Sequence, residues 1–129
     1  MFEPRDQSVA GKVLSRANAH NLGDFWIGIH DRYNEGTFVY ESDNALLSST
    51  NWGAGEPNDN TSGEDCVEVN RWNDWNWNDL PCSYQQRSTV CLREVGKGAA
   101  GKGTLIFCTF FDQKVYYNRI MTKKQKNSL

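Results

Sequence analysis

The feature that most limits how this chain can fold is a long segment without hydrophobic periodicity, residues 45–63. It is rich in Ser, Asn, Gly and Thr and contains Pro57. Neither the period of a helix nor that of a strand appears in it. Loops of this length without secondary structure are uncommon in compact domains, and they are usually functional or disordered. The sequence therefore predicts a domain with one dominant irregular loop.

The segments on either side of this loop carry regular patterns. Apolar residues at helical spacing predict a short helix over residues 8–22, with Ser8 as its N-cap and Gly23 at its end. Short apolar runs predict strands at residues 25–29, 38–40, 66–69, 75–78 and 88–94. One helix followed by several short strands indicates the α+β class.

Charge divides the chain into two parts. Residues 1–95 contain 15 acidic and 7 basic side chains, whereas residues 96–129 contain 1 acidic and 7 basic ones. The boundary is followed by a Gly- and Lys-rich stretch, a composition typical of flexible linkers. We expect one folded domain over residues 1–95, followed by a linker and basic tail over residues 96–129.

Two classes of partner are not expected. A basic end can bind polyanions, but an unstructured tail is the simpler interpretation, and we predict no nucleic-acid partner. The longest apolar run, around residues 105–111, is much shorter than the roughly 20 residues of a membrane-spanning helix. No membrane span is predicted.

Four cysteines, Cys66, Cys82, Cys91 and Cys108, favour an oxidising compartment. They form no C-x-x-C pair and the two histidines lie far from them, so a zinc site is poorly supported. A disulfide framework is the better interpretation, with three connectivities open at this point. No secretory signal is visible after Met1. We therefore expect an extracellular protein whose leader has been removed, or the ectodomain of a longer one.

Acidic and amide residues cluster in and after the long loop. Residues 24–79 hold 12 acidic side chains against two basic ones, a density at which like charges repel unless they are spread out or neutralised. Oxygen ligands without nitrogen or sulfur are those that Ca²⁺ takes. An EF-hand loop counted from Asn58 places Gly63 correctly but puts Val69 where a bidentate Glu is needed. The pattern favours a calcium site built from loop and strand.

Five short motifs occur in a fixed order along the chain. They are Trp26-Ile27-Gly28-Ile29, Glu56-Pro57-Asn58, Gly63-Glu64-Asp65-Cys66, Trp77-Asn78-Asp79 and Val90-Cys91. In this order and spacing, residues 7–95 resemble the sugar-binding branch of the C-type lectin domain. The resemblance implies a double-loop α+β fold with short antiparallel sheets, one or two helices and a long calcium-binding loop. It also implies that the family's first strand, first helix and first cysteine would precede this chain.

By this resemblance, two sets of side chains would bind Ca²⁺. The principal set is Glu56, Asn58, Glu64, Asn78 and Asp79. The auxiliary set, found in some members, is Asp31, Glu35, Asp59, Glu64 and Asp65. The resemblance further implies a cis bond before Pro57 and a disulfide between Cys66 and Cys82. Cys91 would then be free or paired with Cys108.

The principal set would also bind the sugar. Five protein ligands leave coordination positions open, and two vicinal hydroxyls can fill them. Each hydroxyl would donate to a carboxylate and accept from an amide, with Glu56–Asn58 and Glu64–Asn78 as the pairs. The Glu-Pro-Asn order resembles the version associated with mannose, fucose and N-acetylglucosamine. We predict sugars of this type.

Tryptophans near the Trp77-Asn78-Asp79 motif leave two points open. An exposed indole at Trp72 or Trp75 could stack on a sugar and change the preference, whereas core packing is the usual place of Trp. Trp72 is the better surface candidate, and Trp77 is expected inside. Because Trp72-Asn73-Asp74 repeats Trp77-Asn78-Asp79, either could be the calcium motif. The second copy is preferred for its distance to Cys82.

The predicted function is calcium-dependent binding of glycans or glycoproteins, without catalysis. Oligomerisation would add avidity to weak single sites. Paired carboxylates could indicate a glycosidase, but here they are assigned as metal ligands. The alternative is a module of the same scaffold that binds a protein or another non-sugar ligand, with calcium only ordering the loop.

Overall fold

A computed structural model of the chain describes residues 1–84 and 88–90. Within them, one α-helix precedes a set of short strands. The elements are α1 (Gln7–Ala19), β1 (Phe25–His30), β2 (Val39–Tyr40), β3 (Cys66–Asn70), a 3-10 helix (Arg71–Asn73), β4 (Asn76–Leu80) and β5 (Ser88–Thr89). The predicted α+β class is confirmed.

The N-cap of helix α1 lies two residues before the one that the sequence pattern indicated. The Asp6 carboxylate accepts hydrogen bonds from the backbone amides of Ser8 and Val9, at 2.7 Å and 3.1 Å. Asp6 is therefore the N-cap, because it satisfies amides that the helix leaves without a partner. The prediction of Ser8 as N-cap was wrong. Val13 and Ala17 are the fully buried residues of the helix.

Strand β1 is the centre of the sheet, and all six of its residues are buried. The strand order is β2-β1-β3-β4 with antiparallel pairing, and β5 runs parallel to β1. Strands β3 and β4 form a hairpin whose register aligns Val67 with Asp79 and Glu68 with Asn78. Cross-strand partners lie on the same face of a sheet. The register thus decides which side chains of the two strands can meet.

The long loop is fastened to the sheet at β4. The Trp77 amide donates to Asn51 O at 2.8 Å, and the Gly53 amide donates to Trp77 O at 2.9 Å. Between these bonds, the ring of Trp52 packs edge-on against buried Trp77, with centroids 5.6 Å apart. The predicted inward position of Trp77 is confirmed. This short parallel bridge directs the remainder of the loop, from residue 54 onward, towards the end of β4.

A disulfide joins Cys66 at the start of β3 to Cys82 just after β4, as the resemblance implied. Cys91, Cys108 and the predicted tail at residues 96–129 lie outside the described residues. Among the residues that are described, no helix is long and apolar enough to cross a membrane.

Candidate functional site

Three carboxylates lie close enough to interact where the long loop meets β4, and we call Glu56, Glu64 and Asp79 the loop cluster. Asp79 is only 1% exposed. Its two oxygens accept hydrogen bonds from the backbone amides of Asn58 and Asp59, at 3.0 Å and 2.8 Å. A buried carboxylate that accepts two backbone amides holds the loop at a fixed position over the strand.

Glu56 is the most electrostatically perturbed member of the loop cluster. Its pKa is raised to about 7 by burial, then by the close approach and negative charge of Asp79 and by the charge of Glu64. Its Oε1 accepts a hydrogen bond from Asn58 Nδ2 at 3.0 Å. Among the described residues, Glu56 Oε2 is buried without a hydrogen-bond partner. Two like charges and an unsatisfied oxygen are what a bound cation would relieve.

Residues 59–64 form a tight turn, because side-chain oxygens in this segment accept hydrogen bonds from its own donors. Asp59 Oδ1 accepts from the amides of Gly63 and Glu64, at 2.6 Å and 3.1 Å. Glu64, which is 6% exposed, accepts from the Asn60 amide at 3.0 Å and from the Thr61 hydroxyl at 3.2 Å. The peptide bond before Pro57 is cis, as the resemblance implied. The turn carrying the loop cluster is therefore closed by its own side chains.

A second group of carboxylates lies beside the first, and we call Asp31, Glu35 and Asp65 the strand-end cluster. One oxygen from each lies within 4.8 Å of the others. Asp31 Oδ2 accepts from the Gly36 amide at 2.8 Å, while Oδ1 is buried without a partner among the described residues. Loss of hydration raises the pKa of Glu35, and the charges of Asp31, Asp59 and Asp65 raise it further. Asp59 is therefore close enough to the strand-end cluster for its charge to act on Glu35.

Asn78 occupies a different position from the other members of the principal set. It lies next to Asp79 on β4, and its side-chain hydrogen bond is with β3 rather than with the loop. Its Nδ2 donates to Glu68 Oε1 on β3 at 3.2 Å. The sequence did not single out Glu68. Side chains alternate between the two faces of a strand, so Glu68 lies on the face opposite to Val67 and Val69 of Cys66–Asn70. This alternation was the sequence pattern that could have pointed to Glu68.

The two tryptophan motifs have different environments. Trp72 lies in the 3-10 helix and is 84% exposed, as predicted for a surface tryptophan. Asp74 ends that helix in the left-handed conformation and is exposed, whereas Asp79 is buried in the loop cluster. A side chain at Gly53 would clash with the Asn73 amide nitrogen and would lie 3.6 Å from Glu56 Cγ. The turn that carries Trp72 is thus next to the loop cluster.

Both clusters fit Ca²⁺ by the chemistry of their donors. All candidate ligands are carboxylate or amide oxygens, which a hard cation prefers. Each cluster also contains a buried carboxylate oxygen without a partner within the described part of the chain, on Glu56 and on Asp31. The structure brings Glu56, Asn58, Glu64 and Asp79 together at one candidate site and Asp31, Glu35 and Asp65 at the other.

Comparison with known proteins places this geometry in a family. Residues 4–93 match the family model of the lectin C-type domain. The chain belongs to the C-type lectin domain family. Domains of this family are binding modules without catalytic activity, which confirms the prediction that the chain is not an enzyme.

Relatives of this C-type lectin domain include vertebrate and molluscan proteins. Collectin-10 of Xenopus tropicalis is 38% identical over 80 residues, which are 62% of this chain and 28% of that protein. A perlucin-like protein of Mytilus galloprovincialis is 32% identical over 79 residues, which are 61% of this chain and 49% of that protein. The chain therefore spans less than half of the length of either relative.

Solved C-type lectin structures share the fold. Human lithostathine matches with a TM-score of 0.54 and 26% identity, over 64% of this chain and 58% of that one. The C-type lectin domain of murine dendritic cell inhibitory receptor 2, solved in complex with an N-glycan, matches with a TM-score of 0.51 and 28% identity. That match covers 64% of this chain and 62% of the receptor domain.

Proposed function

We propose that this C-type lectin domain binds carbohydrate through Ca²⁺ held by the loop cluster. The principal ligands would be Glu56, Asn58, Glu64, Asn78 and Asp79. Asp31, Glu35, Asp59, Glu64 and Asp65 would bind an auxiliary ion. When bound, the principal Ca²⁺ would take one lone pair from each of two vicinal sugar hydroxyls, which makes those hydroxyls stronger donors.

The observation that carries the proposal is the pair formed by Glu56 and Asn58. Asn58 Nδ2 donates to Glu56 Oε1 at 3.0 Å, and Asn58 is exposed to solvent. A sugar hydroxyl can both donate and accept. A carboxylate beside an amide offers it one partner for each role, and buried Asp79 fixes the loop backbone at Asn58 and Asp59.

We propose sugars of the mannose type, which include fucose and N-acetylglucosamine. The support is the Glu-Pro-Asn order at residues 56–58 and its resemblance to lectins of that preference. The structural neighbour solved with an N-glycan is consistent with a glycan as the partner. Glycans or glycoproteins are therefore the proposed partners, with oligomerisation as a source of avidity.

We also propose an extracellular location. The Cys66–Cys82 disulfide supports it, because disulfides persist in oxidising compartments. The domain would act as part of a secreted protein or of an ectodomain.

Retention on immobilised mannose and galactose, in calcium and then in EDTA, tests the proposed function. We expect calcium-dependent retention on mannose that free mannose abolishes. Retention on galactose alone would overturn the sugar class. Absence of retention on both resins, with calcium binding intact by calorimetry, would replace carbohydrate by the alternative of a protein or other non-sugar ligand.

Trp72 is proposed to add an apolar surface beside the metal-bound sugar. Its helix is firmly held, since Asn70 Oδ1 accepts from the amides of Trp72 and Asn73 at 2.9 Å and 3.1 Å. The Arg71 guanidinium lies 5.5 Å from the centre of the Trp72 ring. We expect Trp72→Ala to weaken sugar binding by up to about tenfold, in line with the energy of an aromatic contact.

The matched control for Trp72 is Tyr33→Ala, since Tyr33 is another exposed aromatic residue, at 70% exposure. Titration with mannose by calorimetry should distinguish the two variants. Equal affinities for Trp72→Ala and the wild type would remove Trp72 from the site without affecting the assignment of the loop cluster.

A further inference from the structure

Glu68 is a carboxylate that the proposed function does not use, and it is completely buried, with 0% exposure. It lies in the middle of β3, between Trp26 on β1 and Asn78 on β4. Buried carboxylates are rare unless their charge has partners. The position therefore calls for an explanation in terms of its neighbours.

The register of the hairpin places Glu68 and Asn78 directly opposite each other. Their side chains share one face of the sheet, and Asn78 Nδ2 donates to Glu68 Oε1 at 3.2 Å. On the other side, Trp26 is 2% exposed and occupies the neighbouring position of the same row. Asn70 Nδ2 also donates to Glu68 Oε1, at 3.5 Å, so this acceptor oxygen is held by two amides beside the Trp26 ring.

The chemistry of the two groups defines how the Asn78 amide is oriented. An ionised carboxylate only accepts hydrogen bonds, whereas an amide has an oxygen acceptor at one end and two N–H donors at the other. Only the orientation with Nδ2 towards Glu68 is hydrogen bonded. The reversed orientation would put the Asn78 oxygen against the carboxylate, which is repulsive. Glu68 therefore selects one of two amide orientations of similar shape.

We propose that Glu68 is a positioning residue that orients Asn78 for ligand binding. It takes one N–H of the Asn78 amide and leaves Oδ1 and the second N–H available on the other side. This inference rests on the proposed function, in which Oδ1 would face the calcium ion and the second N–H would face a sugar hydroxyl. Glu68 itself would touch neither.

The decisive measurement is hydrogen exchange of the Asn78 side-chain amide by NMR in calcium-free protein, which does not depend on sugar binding. We expect Glu68→Met to make this exchange about five- to tenfold faster, as the loss of one hydrogen bond predicts. Glu68→Gln keeps an acceptor but also bonds the reversed amide, so its Asn78 exchange rate should lie between those of the wild type and Glu68→Met. Glu3→Met, which alters another largely buried carboxylate far from β4, should leave Asn78 unchanged.

Sugar titration in calcium then connects the orientation to function. Glu68→Met should weaken mannose binding at least about twofold, since a competent orientation populated half of the time halves the affinity. Unchanged exchange at Asn78 in Glu68→Met would overturn the proposal, whether or not the wild type binds sugar. Failure of the wild type to bind any sugar, with Asn78 exchange still dependent on Glu68, would overturn the proposed function and retain the positioning role.

If Glu68→Met does not fold, side-chain amide exchange in the wild type tests the proposal instead. The Asn78 side-chain amide should then exchange at least about tenfold more slowly than that of exposed Asn73, which occupies the same position in the first Trp-Asn-Asp motif. Equal rates for the two asparagines would overturn the proposal.

Discussion

The loop cluster and the strand-end cluster contain the same kind of side chain but obtain their geometry in different ways. In the loop cluster, both oxygens of Asp79 and one oxygen of Glu64 accept backbone amides. In the strand-end cluster, one backbone amide, from Gly36, supports Asp31, and Glu35 is exposed. The chain itself fixes the first cluster, whereas the second depends more on an ion to draw its carboxylates together.

Removal of the central carboxylate should have the largest effect and tests this comparison directly. In calcium-free protein, Asp79→Ala should lower the free energy of unfolding by about 2–4 kcal/mol, because two backbone amides lose their buried acceptor. Asp31→Ala should lower it by less than about 1 kcal/mol, since the one amide that loses its acceptor belongs to exposed Gly36 and can bond to water. Urea unfolding in EDTA measures both values. A larger loss of unfolding free energy for Asp31→Ala than for Asp79→Ala would show that the chain fixes the strand-end cluster more firmly than the loop cluster.

Calcium should stabilise the whole domain while ordering the two clusters unequally. At a free calcium concentration about 100 times the Kd, binding to the folded state alone adds about 2.7 kcal/mol of stability. Amide hydrogen exchange should slow more at Gly36 than at Asn58 and Asp59. Gly36 is exposed and its acceptor Asp31 belongs to the strand-end cluster, whereas Asn58 and Asp59 share the buried acceptor Asp79. A melting curve that EDTA leaves unchanged would argue against calcium at either cluster.

The raised pKa of Glu56 predicts opposite pH dependences with and without calcium. Its pKa moves from 4.5 to about 7 in the folded, metal-free protein. The folded state therefore binds more protons between these values, so its stability should fall as the pH rises from about 5 to about 8. Calcium binding requires the deprotonated carboxylate and should strengthen over the same range.

Unfolding in urea at the two pH values, in EDTA and in calcium, tests this prediction. Glu56→Gln is the matched variant, because it retains the shape of the side chain and removes the titration. A metal-free wild type that gains stability as the pH rises, or a Glu56→Gln variant with the same pH profile, would show that Glu56 does not control this behaviour.

The smallest effect is expected at the exposed member of the strand-end cluster. Glu35→Gln should change the stability of calcium-free protein by less than about 0.5 kcal/mol, as for most surface substitutions. Calorimetry should nevertheless show the loss of one class of calcium site. Asp74→Asn, an exposed acidic residue outside both clusters, serves as the control. Unaltered calcium stoichiometry in Glu35→Gln would leave the strand-end cluster without a role in metal binding.

The sequence predicted the elements whose patterns are local. The order of helix and strands follows from periodicity, and the expected positions of Trp77 inside and Trp72 on the surface are confirmed. The start of α1 was misplaced because Asp6 and Ser8 are both good N-caps, and only the backbone geometry selects between them.

The contact between Glu68 and Asn78 could not be predicted in the same way. It depends on the register of the β3–β4 hairpin, which is set by the turn between the strands. That turn contains two successive left-handed residues, Asp74 and Trp75, and neither is glycine. Because two successive left-handed residues without a glycine are uncommon, the sequence alone does not indicate where the turn lies. The register, and every contact that depends on it, required the structure.

Asp59 belongs to the architecture of both clusters, and this has a consequence for how the domain would respond to calcium. Its backbone amide donates to Asp79, its carboxylate closes the turn before Glu64, and its charge acts on Glu35. An ion that orders one cluster would therefore order part of the other in advance, so the second ion would bind at lower entropic cost. We expect positive cooperativity between the two ions, with ligand released over a narrow range of falling calcium concentration.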